Sequence, residues 1–425
     1  MTSKRWTMPV AACAGLVAFG LSLPVLAQDK ITLTWGAHYT DAQMAPLTAC
    51  FRRYEQENPT ITIRYQQSGI EDFLQTILTS RIGGTSPDIY NVYSIWGKQL
   101  TDSGILAEPP SDIADFIAQN YEPTTVKAAT LDDKVWGVPA EVSLYMLIYN
   151  KALFAEAGIA QPPSTWAEVL EDAKKIAKRD ADGKVVTAGY AFGPSVANAT
   201  HPFRTLMFSA GLPLLKDDLM STNLADPKAV EILSGEVELF KQGLTSPSNV
   251  VKDFPSSRNG MQITANWFKQ TLREGMGEDF LDKVGVAPIP AGPDWKTYQY
   301  SFYQSVDANS AHPEEAWKLI RWLNSPQATG KRSCVGDMLV ALGGLTANNA
   351  DIAASAEAFG DSFTKPYVDA LQSGRALSEP PVAQTAEADR ALRSAIEAAW
   401  LGQLSPEDAL KKADAEITNI LALPQ

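Results

Sequence analysis

Cysteine and histidine are both scarce in this chain of 425 residues, with three of each. The histidines, His38, His201 and His312, fall in separate segments, so a three-histidine metal site is not expected. Asp180-Ala181-Asp182-Gly183 opens like a calcium loop, but Lys184 follows and no ligating acid closes it, which leaves a solvated turn. No Gly-x-Ser-x-Gly elbow, His-Glu-x-x-His helix, Walker loop or dinucleotide fingerprint occurs. Adjacent acids such as Asp217-Asp218 say nothing about a glycosidase pair, which faces itself across a cleft. These absences point away from an enzyme and from any metal or cofactor. Basic residues are also in deficit, 36 against 49 acids, for a formal charge of −13. A surface of that sign repels phosphate backbones, so nucleic acid is not an expected partner.

Heptad seams, internal repeats and low-complexity linkers are missing as well. The one long apolar run, Val10 to Leu23, falls short of the ~20 residues a membrane-spanning helix needs. Lys4 and Arg5 precede it, and Val25-Leu26-Ala27 ends it with small or apolar residues at the recognition positions. Residues 1–27 therefore read as a secretory signal peptide cut after Ala27, giving a soluble exported protein, a monomer in the periplasm. Val10-Ala11-Ala12-Cys13 loosely resembles a lipoprotein box, but most of the apolar run follows Cys13. With Cys13 gone, Cys50 and Cys334 remain, and export permits a disulfide or two unpaired buried thiols.

What the chain does have is apolar mass: 45% hydrophobic residues, with ten Trp, thirteen Tyr and fifteen Phe. At roughly 150 residues per domain this predicts two or three large units, each with its own core. ITLTW from Ile31 alternates as a strand, a helix runs from about Ala45 to Glu57, and ITIRYQ from Ile61 is a second strand. A helix over 71–82, a turn at Gly83-Gly84-Thr85-Ser86-Pro87 and a buried strand from Asp88 to Val92 complete an α/β layer with a largely parallel sheet. Later helices begin at Thr165, whose partner Glu168 makes a capping box, at Asp226-Pro227, at His312-Pro313 and at Ser405-Pro406. Without linkers, such a chain is expected to pass between its domains several times.

Several blocks in order resemble the extracellular solute-binding proteins of bacterial ABC importers, specifically the carbohydrate-binding family that includes maltose-binding protein. They are FRRYEQENPTITIRY from Phe51, SPDIYNVYSIWGKQLTDSGIL from Ser86, KVWGVPAEVSLYMLIYNKALF from Lys134, Gly158 to Trp166, Asn266-Trp267, Val286 to Pro290, His312 to Ser325, and LGQLSPEDAL from Leu401. The resemblance implies a two-lobe periplasmic binding protein fold of α/β class, with the ligand cleft between lobes joined by three crossing segments. The crossings would lie near Val138–Glu141, Ser301–Val306 and Gly343–Gly344. Lobe 1 would comprise 28–139 plus 304–343, and lobe 2 140–303 plus 344–425. Cys50 and Cys334 would then share lobe 1, and a disulfide between them is implied.

Ligands of open α/β sheets gather beyond the carboxyl ends of strands. That rule nominates His38, Tyr39 and Asp41 after the first strand, and Tyr93, Ser94 and Trp96 after the third. It adds Glu141, Ser143 and Tyr145 at the first crossing, His201, Arg204, Asn266 and Trp267 in lobe 2, and Tyr303 at the second crossing. A sugar ring needs flat aromatic platforms beside fixed donors and acceptors, and this set supplies both. Trp96 reads equally as site or core. Trp267 reads as a platform, Trp35 as core, and Trp136, Trp317 and Trp322 as core too. Where maltose-binding protein has aromatics after its late Pro-rich turn, Val382 to Asp389 here has none, which argues against a maltodextrin. The resemblance implies a receptor that closes on a carbohydrate and delivers it to a membrane-embedded ABC permease. Rival readings are a receptor for a polyamine or phosphodiester and a secreted carbohydrate-degrading enzyme.

Overall fold

The structure is a computed structural model that describes residues 1–7, 30–121 and 123–423. The apolar run of the leader, its cut site and Cys13 lie outside the described residues.

Strand β1 (Ile31–Ala37) buries Leu33 and Trp35 on one face, as its alternation predicts. Helix α1 (Asp41–Glu57) begins four residues earlier than the sequence suggests. The cause is a reciprocal cap, in which Thr40 accepts from Gln43 and Gln43 answers to the Thr40 backbone. Strand β2 (Ile61–Gln67), helix α2 (Ile70–Gly83) and the fully buried β3 (Ile89–Tyr93) follow. Both β2 and β3 pair in parallel with β1, so the first half of the fold is the α/β layer expected.

Strand β4 (Val138–Asn150) is the backbone of the whole architecture. Its 13 residues reach roughly 40 Å at ~3.3 Å per residue, enough to serve two half-sheets. Beyond it lie α3 (Trp166–Ile176), β5 (Val185–Tyr190), α4 (Val196–Ser209), α5 (Pro227–Lys241), β6 (Asn259–Ala265), α6 (Phe268–Met276) and β7 (Thr297–Val306). The chain ends through α7 (Pro313–Leu323), α8 (Cys334–Leu342), the two-residue β8 (Leu345–Thr346), α9 (Thr385–Trp400) and α10 (Pro406–Leu421). The caps at Thr165, Asp226 and Ser405 form as read, while His312 makes no side-chain cap bond.

The main strand order is β2-β1-β3-β7-β4-β6-β5. The first part of β4 pairs with β7 and the last part with β6, both antiparallel, and β5 adds in parallel to β6. Helices cover both faces. The apolar cluster on one face draws on α2, α3, α4, α5, α9 and α10, and that on the other on α1, α6, α7 and α8. A disulfide ties Cys50 of α1 to Cys334 of α8, with Cα atoms 6.3 Å apart.

Three chain segments meet at Val142. It pairs with Ser301 of β7 on one side and with Leu345 of β8 on the other, and the β7 register shifts between Ser301 and Tyr303. Just before β8, Gly343 takes a positive φ of 78°. A Cβ there would fall 2.4 Å from the Lys269 stem, so glycine is needed for space as well as for conformation. Lys269 is itself held by Asp361 and Thr364.

Candidate functional site

At the meeting point, side chains of β4 and β7 alternate between the two faces. Val138, Ala140, Val142 and Leu144 enter one apolar cluster. Glu141, Ser143 and Tyr145 point the other way, where Tyr298, Tyr300 and Phe302 of β7 join them in a layer of rings. His38 stacks on Phe302 with centroids 4.6 Å apart, and Tyr93 stacks on the same ring at 4.8 Å. Tyr300 meets Tyr93 edge-on at 5.0 Å and lies tilted against His201 at 5.3 Å.

Polar atoms in this layer answer one another. The Tyr39 hydroxyl donates to Glu141 Oε2 at 2.5 Å, and Ser143 donates to Oε1 at 3.0 Å. Burial holds the Glu141 carboxyl above its ordinary range, against the opposing pull of those two hydroxyls. His201 is bracketed by hydroxyls, Tyr145 at 2.7 Å from Nδ1 and Tyr93 at 3.4 Å from Nε2. Burial, assisted by the nearby Arg204 charge, keeps that imidazole neutral to well below its usual pKa. Burial alone pushes His38 down to about 3. Trp267, half-buried, donates its indole N–H to the Tyr300 hydroxyl at 2.7 Å and leaves part of its ring uncovered.

Arg204 lies one turn after His201 on α4 and therefore shares its face. The guanidinium is 2% exposed, lies over the Tyr298 ring at 5.5 Å and is ion-paired through Nη2 with Asp389 of α9. It opens onto a cavity of about 450 Å³ whose walls include Ser94, Lys127, Tyr298, Gln299 and Glu379. Residues from both halves of the sheet thus line one space.

The structure brings together His38, Tyr39, Tyr93, Glu141, Ser143, Tyr145, His201, Arg204 and Trp267, and places Ser94 on the cavity wall. Four sequence-nominated residues stand apart. Asn266 is fully buried and spends its amide on the β4 backbone, accepting from the Leu144 N–H and donating to the Val142 carbonyl. Tyr303 belongs to the same apolar cluster as the ring layer but packs its hydroxyl against Gly97, and Tyr300 meets Trp267. Trp96 is buried edge-on against Tyr93 and Phe73. Asp41 lies exposed on the first turn of α1.

Sequence reading missed Tyr298, Tyr300 and Phe302, although the alternation in TYQYSFY carried their signal. It also missed Gln299, Glu379 and Asp389. Asp389 could have been noticed as a lone acid in the apolar stripe of α9 beside Ala388, Leu392 and Ile396. Among the described residues no group of three or more His, Cys, Asp or Glu is placed to hold a metal. None of the described helices is long and apolar enough to cross a membrane.

Two α/β half-sheets sharing one long strand, crossed by three segments and lined by residues of both halves, define a two-lobed binding protein. The chain belongs to the bacterial extracellular solute-binding protein family, whose pattern it matches over residues 37–330. It is 28% identical to a putative binding protein of Brucella abortus over 439 aligned positions, covering 99% of this chain and all of the relative. Among solved structures it is similar to an ABC substrate-binding protein from Listeria monocytogenes in complex with cycloalternan. There the TM-score is 0.77 and the identity 21%, over 93% of this chain and all of the other. The GacH receptor of Streptomyces glaucescens, solved unliganded and with acarbose, gives a TM-score of 0.79 at 19% identity over 94% of this chain and all of that one. The fold is therefore the two-lobe periplasmic binding protein fold, and membership of an extracellular family makes this an exported protein.

Proposed function

We propose that the protein is a periplasmic receptor that captures a carbohydrate between its lobes and presents it to an ABC permease. The observation that carries this reading is the set of rings on one face of the crossings, His38, Phe302, Tyr93, Tyr300 and Trp267, interleaved with hydroxyl, carboxylate and guanidinium groups. Flat apolar faces beside fixed donors and acceptors suit a pyranose, which has a C–H face and a hydroxyl rim. The ligands named for the two structural neighbours, cycloalternan and acarbose, are carbohydrates too. A polyamine or phosphodiester receptor would concentrate charge of one sign, whereas here Arg204 is matched by Asp389.

In this reading residues 1–27 are removed on export, lobe 1 comprises 28–139 plus 304–343, and lobe 2 the remainder. The mature protein acts as a monomer with no catalytic step. Closure about the three crossings excludes water and adds the second lobe's contacts, so ligand shifts an open–closed equilibrium by its preference for the closed form. A micromolar constant corresponds to about −8 kcal/mol, within reach of one or two stacked rings and several hydrogen bonds.

Mass spectrometry of the small molecule released by denaturing freshly purified protein tests the class directly, followed by calorimetric titration with that compound. A carbohydrate retained intact and in stoichiometric amount is expected, together with a smaller radius of gyration when it is bound. A polyamine or phosphodiester would overturn the reading, and so would multiple turnover of an oligosaccharide.

A further inference from the structure

Behind the surface of the 450 Å³ cavity beside the ring layer, side chains that line it hold buried polar atoms without a hydrogen-bond partner. Arg204 Nε and Nη1, Gln299 Oε1 and Glu379 Oε2 have no hydrogen-bond partner, and neither does Asp389 Oδ2 behind the guanidinium. Each such group left unpaired costs about 1–3 kcal/mol, so a fold that gathers several around one cavity has fixed them for something that enters it.

The chemistry of that occupant can be read from which atoms are free. The guanidinium gives an Nη2 N–H to Asp389, and the ring of Tyr298 covers a face. The two free donors of Arg204, Nε and Nη1, point apart and can serve two separate acceptor atoms. Its charge is already matched by Asp389, and Glu379 adds a second carboxyl, whose Oε1 takes the Leu214 N–H at 2.7 Å and whose Oε2 is free. The other cation on the wall, Lys127, is exposed and solvated. Apart from Lys127, the cation on the wall is already matched, and two carboxyl groups stand against an anionic ligand.

Resting on the carbohydrate reading, we propose that this cavity is the subsite for an uncharged, polyhydroxylated ring. Separate hydroxyls of that ring donate to Glu379 Oε2 and Gln299 Oε1 and accept from Arg204, and Glu379 with Asp389 excludes the acidic counterpart of the same sugar. Selectivity of this kind comes from an unfavourable contact with the wrong ligand as much as from a favourable contact with the right one.

Calorimetric titration of the ligand-stripped mature protein with neutral hexoses and disaccharides, each beside the uronic acid of matching stereochemistry, tests the assignment. The neutral sugar is expected to bind at least about tenfold more tightly than its acid, the size of one like-charge contact of about 1.4 kcal/mol. In Glu379→Gln, which keeps an acceptor and removes the charge, that preference should shrink about threefold or more with the melting temperature unchanged. Gln299→Ala should weaken neutral-sugar binding roughly severalfold and leave the preference intact. An acid that binds as tightly as its neutral partner overturns the proposal, as does a preference that Glu379→Gln leaves untouched. Binding of no sugar of either kind, with the fold intact by circular dichroism, would retire the carbohydrate reading itself.

Discussion

Two polar clusters beside the crossings, one around Glu141 and one around Arg204, differ in how their polar atoms are answered. Around Glu141, hydroxyls of Tyr39 and Ser143 meet the carboxylate, hydroxyls of Tyr93 and Tyr145 meet His201, and the Trp267 indole meets Tyr300. Around Arg204, one strong ion pair is made and several atoms are left open. A satisfied network rigidifies the place where it sits, while an unsatisfied one in a cavity has free valence for a guest. On the proposed reading the first cluster holds the crossings in register, and the second is where a ligand's hydroxyls would gain most.

The largest effect is expected from removing the cation of the open cluster. Arg204→Met strands Asp389 without its partner in the interior, which should cost about 3–5 kcal/mol of stability, and pairing it with Asp389→Leu should restore most of that. Urea denaturation of the single and double variants decides the point; a stable single variant would mean that the pair is not a buried charge pair.

A third buried acid serves as a control. Glu236 has a single donor, the Trp400 indole at 2.9 Å, and burial pushes its carboxyl up to about 8 despite that bond. Because the folded pKa lies above the unfolded one, the folded protein holds the proton to higher pH. Its contribution is fully present below the ordinary glutamate pKa of ~4.3 and is lost as pH rises through about 8, at up to about 1.4 kcal/mol per pH unit. Glu236→Gln should flatten this slope, as measured by the difference between denaturation midpoints of the parent and the variant from pH 5 to 8.

Trp267 joins the first cluster through Tyr300. Trp267→Ala should weaken sugar binding by about 2 kcal/mol, roughly thirtyfold, since aromatic anchors dominate binding. With the ring half-buried, the accompanying fall in melting temperature should be modest. Near-normal affinity with a large thermal loss would move Trp267 into the core. The smallest effect is expected at the satisfied end, where Tyr39→Phe removes one of two donors to Glu141 and should cost about 1.5 kcal/mol, seen in the same urea titrations. A loss larger than that of Arg204→Met would reverse the ranking of the two clusters.

Much of this was legible in the residues. The strands at Ile31, Ile61 and Ile89 and the caps at Thr165, Asp226 and Ser405 depend on contacts within a few positions, where alternation and turn chemistry are decisive. The start of α1 was misjudged because its cap, Thr40 with Gln43, precedes the apolar pattern. Residues following a strand come together where the backbone alone aims them, as with His38, Tyr39 and Glu141. Asn266 and Tyr303 turn to other partners for a reason that no local pattern carries. An amide next to a long strand is drawn to that strand's backbone, and the Tyr303 hydroxyl is taken up against Gly97, a residue distant in the chain.

By itself, then, the sequence determined the alternating strands, the helix starts, the acidic surface and the family whose blocks recur in order, because each is written in neighbouring residues. The tertiary structure alone decided that Val142 is the point where three segments meet, that Asp389 reaches Arg204 from 185 positions away, and that Gln299 and Glu379 face the same cavity. Those pairings depend on how β4 is shared between two half-sheets and on where α9 docks. Both are set by the packing of distant apolar faces, which fixes side chains in space without leaving a spacing in the chain.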